Sequence, residues 1–161
     1  VTYQNLTPLP HVLHNATSFL NPIRVLAVRQ PWASLIMFGY KTSVIRTTNT
    51  NIRELIAIHA SRSKPLQKDV DWLRSLGLKD DVLNSLPKGV ILGTVSLVES
   101  YRIESKNSFK AHVISHMNNP DWYKDGLYAW NMASPALLDT PIKYTPPRGA
   151  IVWSCPKGVI A

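Results

Sequence analysis

Arg29, Gln30, Pro31 and Trp32 follow directly on the short β-type run Ile23 to Val28, placing a cation, an amide, a helix-starting proline and an indole side by side. Gln30 can offer both a donor and an acceptor to the edge of a base. Trp32 carries a flat face on which a base could stack, worth about 1–3 kcal/mol in single-strand binders. Pro31 suits the first position of a helix, whose unpaired N–H groups favour an anion. The plainer alternative is that Pro31 and Trp32 simply begin a helix whose indole packs into the core.

Lys41, Thr42 and Arg46 come next. On a strand, Thr42, Val44 and Arg46 share one face and Lys41, Ser43 and Ile45 the other, unless the strand is bulged. Arg46 could clamp a phosphate bidentately. Lys41 could contact a phosphate or, if desolvated, serve as a base; two solvated surface cations are the ordinary alternative. His59 and Ser61 close a further strand, and a histidine there could hydrogen-bond or act as acid or base near neutral pH. No second ligand stands at metal-binding distance from His59 in sequence. His112 and His116, four apart, could bridge a metal, but an exposed or partly packed helix face is the simpler reading. No metal and no cofactor are therefore expected. A phosphate loop, a dinucleotide fingerprint, a calcium loop and a Gly-x-Ser-x-Gly elbow are all absent from the sequence.

These residues need elements to hold them. The spacing predicts strands over Ile23–Val28, Thr42–Arg46, Leu55–His59, Gly89–Ser100, Leu127–Met132 and Ala150–Ser154, with Gly93 permitting a bend. Helices are predicted over Trp32–Phe38, ended by Gly39, over Asp69–Leu86, divided at Gly77, and over Ser108–Met117, capped by Ser108. The polar loop Thr47–Arg53 joins two of the strands, and the proline-laden stretch Pro135–Pro147 reads as turns and edge segments. Short strands with few helices and no strict strand–helix alternation suggest a small mixed barrel of α+β class. Residues 1–22 read as an extended or poorly ordered arm, and residues 23–161 as the domain.

Composition bounds the partners. The 161 residues are 45% hydrophobic and 17% charged, with a formal net charge of +8. From Val1 to Lys68, eight Lys and Arg stand against the single acid Glu54; from Asp69 onward, ten stand against nine. Positive charge concentrated in one part of a chain attracts polyanions. The apolar runs are too short to cross a bilayer, and no secretory signal is visible. The lone Cys155 leaves no internal disulfide, so the economical expectation is a reducing cytoplasm.

The segments Leu26-Ala-Val-Arg-Gln-Pro-Trp-Ala-Ser-Leu-Ile, Gly39-Tyr-Lys-Thr with Arg46, and Ile58-His-Ala-Ser together resemble the ASCH domain. Gly93-Thr-Val-Ser-Leu-Val, Tyr128-Ala-Trp and Arg148-Gly-Ala-Ile-Val-Trp resemble that family's remaining strands, extending the likeness over roughly Ile23 to Pro156. The resemblance implies a PUA-like mixed β-barrel with short flanking helices and a cleft beside the first helix. It also implies RNA or nucleotide binding there, around Arg29, Gln30, Trp32, Lys41, Thr42, Arg46, His59 and Ser61. Some small bacterial members deacylate acetylated cytidine, and ribonuclease activity is reported in the family. The resemblance therefore admits a hydrolase, with Lys41 and His59 as the candidate catalytic groups. In the amidohydrolases a Thr follows the Lys by three residues and a Glu follows a later strand. Here Val44 takes the Thr position without a hydroxyl, and Glu99 and Glu104 lie only in the general region of the Glu. Relatives also carry aromatics in the loop after the Arg. This chain has Thr48 and Ile52 there, leaving Asn49 or Asn51 for polar readout. Protein partners are unspecified.

Overall fold

The structure, a computed structural model, describes residues 6–14, 23–146 and, as backbone, 152–155. Seven strands form one curled mixed sheet: β1 (Leu13–His14), β2 (Ile23–Val28), β3 (Ser43–Arg46), β4 (Leu55–Ala60), β5 (Val90–Arg102), β6 (Tyr128–Lys143) and β7 (Val152–Cys155). Their order is β1-β6-β5-β4-β2-β7, with β3 paired to β6. β2 runs parallel to β4, and β1 runs parallel to β6; the other pairings are antiparallel. The class is α+β, a small barrel-like sheet with short helices around it.

β2 reads Ile-Arg-Val-Leu-Ala-Val, and its apolar side chains are buried on both faces. Leu26 and Val28 join the main core under α1 (Trp32–Met37), while Ile23 and Val25 pack with Ala57 and Ile91 on the opposite side. All six residues of α1 are buried, so it is a core helix seated on the sheet, with no polar face. Gly39, at φ +92°, turns the chain out of α1 as expected, a conformation open to glycine at little cost. Tyr40 and Lys41 then both donate backbone N–H groups to the Leu35 carbonyl, which fixes the approach to β3.

The segments expected as helices are divided more finely: α2 (Gln67–Ser75), α3 (Asp80–Ser85), α4 (Lys106–Ala111) and α5 (Val113–His116). Ser105, not Ser108, caps α4, its side chain accepting from the Ser108 N–H. One larger difference stands out. β6 runs straight through the prolines, because Ser134 and Pro135 fall in a register irregularity between Ala133 and Ala136. A bulged position needs no ladder donor, so the missing N–H of Pro135 costs nothing there. Of the arm expected to be extended or poorly ordered, residues 6–14 lie against the domain: Val12 is buried, Leu9 N–H donates to the Phe38 carbonyl, and the Tyr40 hydroxyl donates to Thr7 O. Residues 15–22 and the greater part of the Pro156 end of the resemblance lie outside the described residues. Among the described residues no helix is long and apolar enough to cross a membrane.

Candidate anion-binding site

The polar loop Thr47–Arg53 carries the chain from β3 to β4, yet these strands do not pair: β3 binds β6, while β4 lies between β2 and β5. The end of β2 and the whole of β3 therefore face each other across a seam with no ladder between them. Arg46 bridges the seam, donating through Nη2 to the Ala27 carbonyl at 3.2 Å. A cavity of about 370 Å³ opens beside this bridge. Its volume lies in the range of small-molecule sites.

Three cations line it: Arg29 from the end of β2, Lys41 from the approach to β3, and Arg46 from the end of β3. Ser61, Ser63 and Asn118 add polar groups, and Trp32 and Val44 add apolar wall. Among the described residues no carboxylate belongs to the lining. Arg29 is exposed and its Nη1 donates to the Lys64 carbonyl at 2.9 Å. Lys41 is only 4% exposed; its Nζ donates to the His116 carbonyl and stands 4.8 Å from the centroid of the Trp32 ring. Burial, and then the neighbouring Arg46 charge, push the Lys41 ammonium down to about 7, against a smaller opposing pull from Asp69. Burial also lowers Arg46, whose Nε–H is buried without a hydrogen-bond partner among the described residues. The Arg46 guanidinium lies 5.9 Å from the Trp130 ring centroid.

Of the residues singled out from sequence, the cavity gathers Arg29, Trp32, Lys41, Arg46 and Ser61. Gln30, Thr42 and His59 lie off it. Gln30 is turned inward: its Oε1 accepts from the Ser34 N–H at 3.0 Å, and its Nε2 donates to Ser34 Oγ and to the Pro87 carbonyl, both at 2.8 Å. A buried amide must satisfy its own groups, and this one does so by capping α1 from within. The start of α1 is thus not an open anion site. Thr42 is exposed and lines a separate small cavity on the far side of Lys41, beside Gly39 and Met132. His59 faces the opposite side of the sheet, its Nε2 3.0 Å from the Tyr144 carbonyl and its ring edge-on to Tyr144. Burial lowers its basicity.

Trp32 reaches the cavity only marginally, at 9% exposure. Its Nε1–H donates to Asp69 Oδ2 at 2.9 Å, and the Lys41 ammonium occupies one side of its ring. The core reading of this indole is the better description. The loop residue Asn49 is tied to β5, its Oδ1 accepting from the Ser100 hydroxyl. Glu99 is exposed and accepts from Asn131 Nδ2, and Glu104 is exposed; neither lines the cavity. Ser63, Asn118 and the Asp69 that orients Trp32 were not legible in advance. They arrive from a loop, a helix end and a helix start whose sequences carry no signal of a shared site. His112 and His116 diverge, the first exposed and the second buried, and among the described residues no group of three metal-ligating side chains is assembled.

No family model matches the chain, and no curated protein does. Solved structures do. The chain is similar to an ASCH protein from Zymomonas mobilis, at 14% identity and a TM-score of 0.58, over 84% of this chain and 89% of that one. Two single-residue variants of that protein match with TM-scores of 0.56 and 0.53, at 14% and 15% identity, over 84% of this chain and 91% and 89% of theirs. The fold is ASCH-like.

Proposed function

Starting from an ASCH-like fold, we propose that this chain binds RNA or a nucleotide, with a phosphate held between Arg29, Lys41 and Arg46. One observation carries the reading: the buried Lys41 and the half-buried Arg46, its Nε out of solvent, line one cavity to which no carboxylate among the described residues contributes. Burying like charges together costs free energy unless an opposite charge compensates. Among the described residues none of these three cations forms an ion pair, and Arg46 holds an Nε–H in reserve. An anion entering the cavity relieves both problems together. The cavity is large enough for more than a bare phosphate, and the hydroxyls of Ser61 and Ser63 and the Asn118 amide can address a sugar or base. The basic bias of the first part of the chain adds long-range attraction for a polyanion. A reducing cytoplasm, rich in RNA, fits the lone cysteine.

The test is affinity for a short single-stranded RNA at two salt concentrations, for the wild type and for Lys41→Ala/Arg46→Ala. The wild type should bind more weakly as salt rises, since each neutralised phosphate releases counterions. The double variant should lose most of the affinity and flatten the salt slope. Equal affinity in both proteins would refute the assignment.

A second reading, hydrolysis of a modified nucleoside or of RNA, has one observation in its favour. A lysine lowered to about 7 is partly neutral at neutral pH and can accept a proton. Val44 and the absence of a lining carboxylate weigh against the amidohydrolase form of it. Turnover of acetylated cytidine or of single-stranded RNA by the wild type, abolished in Lys41→Met, would establish this reading.

A further inference from the structure

Asn118 and Ile45 line the cationic cavity on one side and a second cavity, of about 230 Å³, on the other. The second is built differently. Trp122, on the 3-10 turn Pro120–Trp122 that follows α5, forms part of its wall, together with Leu66 and Leu127, and two cations, Lys68 and Lys124, stand at it. Lys68 Nζ lies 4.4 Å from the Trp122 ring centroid, and Trp72 meets the same ring edge-on, at 6.3 Å and 64°. The indole is therefore braced from the core by Trp72 and remains half-buried at the cavity. The one acid of the lining, Asp69, is buried and accepts from the Trp32 indole that walls the first cavity.

A braced aromatic with lysines beside it is the arrangement that holds an unpaired base and its phosphodiester. We propose that this second cavity is a neighbouring-nucleotide subsite. A single-stranded RNA seats one phosphate between Lys41 and Arg46, passes Asn118, and stacks its next base against Trp122, displacing the exposed Lys68 from that ring onto the backbone beside Lys124. This rests on the proposed function and narrows it: the preferred ligand is a strand of at least two nucleotides, bound more tightly than a free mononucleotide. Charge supports the choice, because both cavities are lined by cations and their only lining carboxylate among the described residues, Asp69, is occupied. A duplex does not fit, since a paired base cannot leave its stack to enter a pocket of this size.

The experiment measures affinity for oligouridylates of one to four nucleotides carrying a 5′-phosphate, with a blunt RNA duplex alongside. Wild type, Trp122→Leu and Lys124→Ala are compared, and Lys124 is exposed, so its variant leaves the packing intact. The wild type should gain about tenfold or more from one nucleotide to two, the size expected for one stacked base. Both variants should keep the mononucleotide affinity and lose most of that gain. The duplex should bind more weakly than the single strand. Mononucleotide binding with no gain on lengthening would overturn the subsite and leave the first cavity standing. A gain retained in both variants would overturn it too. Failure to bind any length would overturn the reading of the first cavity, and this one with it.

Discussion

Lys41 holds its ammonium 4.8 Å from the centre of the Trp32 ring, while the N–H of that ring donates to Asp69. The indole thus stands between a buried cation and a buried carboxylate that do not touch. A cation over a desolvated ring gains on the order of 2 kcal/mol. That is less than the cost of stripping an ammonium of water, which is why Lys41 remains poorly compensated. An anion held between Lys41 and Arg46 would supply that compensation.

The first prediction concerns pH and ligand. Free Lys41 titrates near 7, and a bound phosphate raises it by adding an opposite charge. Binding therefore takes up a proton above about pH 7, and affinity should fall as the pH rises through 7 to 9, by up to about tenfold per unit. Titration calorimetry in buffers of different ionisation enthalpy would reveal the proton. Lys41→Met should bind more weakly and show neither the pH dependence nor the proton uptake.

The same lysine should limit stability. Its folded value near 7 lies below the ordinary 10.5, so between those values the unfolded chain holds more protons than the folded one. Stability then rises as the pH climbs from 7 toward 10, and at pH 7 and below the cost of burying the charge is present in full. Lys41→Met removes that cost with little change in volume. We expect it to stabilise the unliganded protein by about 1–3 kcal/mol at pH 7, read from urea midpoints. A variant that is both more stable and a poorer binder is the signature of a functional charge.

How far the sequence carried depends on how local each feature is. β2 and the start of α1 were legible because an apolar β-rich run, a proline and a glycine act within a few residues of themselves. Arg29, Lys41 and Arg46 were identifiable as cations, but their meeting depends on β3 joining β6 and leaving an open seam against β2. Nothing in the six residues around Arg46 encodes that choice. Gln30 and His59 lie off the cavity for a different reason. Their polar atoms suggested a ligand, yet each finds a backbone carbonyl inside the protein, Pro87 for one and Tyr144 for the other. Pattern reading cannot separate a polar group awaiting a ligand from one satisfied by a distant turn.

Trp32 separates a stacking platform from a core brace. Trp32→Phe keeps a ring beneath Lys41 but leaves Asp69 Oδ2 without its indole donor at 2.9 Å. A buried acceptor deprived of a donor costs about 1–3 kcal/mol. The thermal midpoint should drop accordingly, while affinity for a 5′-phosphorylated mononucleotide should change less than about threefold. A large loss of affinity with no loss of stability would return Trp32 to the role of a base platform.

His116 gives the fold an acid limit that runs through the same cleft. The ring is buried against Phe109, with centroids 4.1 Å apart, and both nitrogens are engaged: Nε2 lies 2.7 Å from the Phe109 carbonyl, and Nδ1 accepts the Asn118 N–H at 2.9 Å. Burial, then the Lys41 and His112 charges, outweigh the Phe109 carbonyl and lower the ring to about 4. Protonation would turn Nδ1 into a donor facing another donor. Between about 4 and the ordinary 6.5 the unfolded chain holds more protons than the folded one. Stability is therefore complete above about 6.5 and declines as the pH falls through 4, by about 3 kcal/mol in all. His116→Gln can still offer an N–H toward Phe109 but has no group that titrates in this range. Urea midpoints measured from pH 7 to 4 should show the decline in the wild type and a shallower one in the variant. Parallel curves would mean that other groups set the acid limit. Because the carbonyl of His116 accepts from Lys41 and its ring holds Asn118, RNA affinity should deteriorate over the same acid range, even though Lys41 is then fully charged.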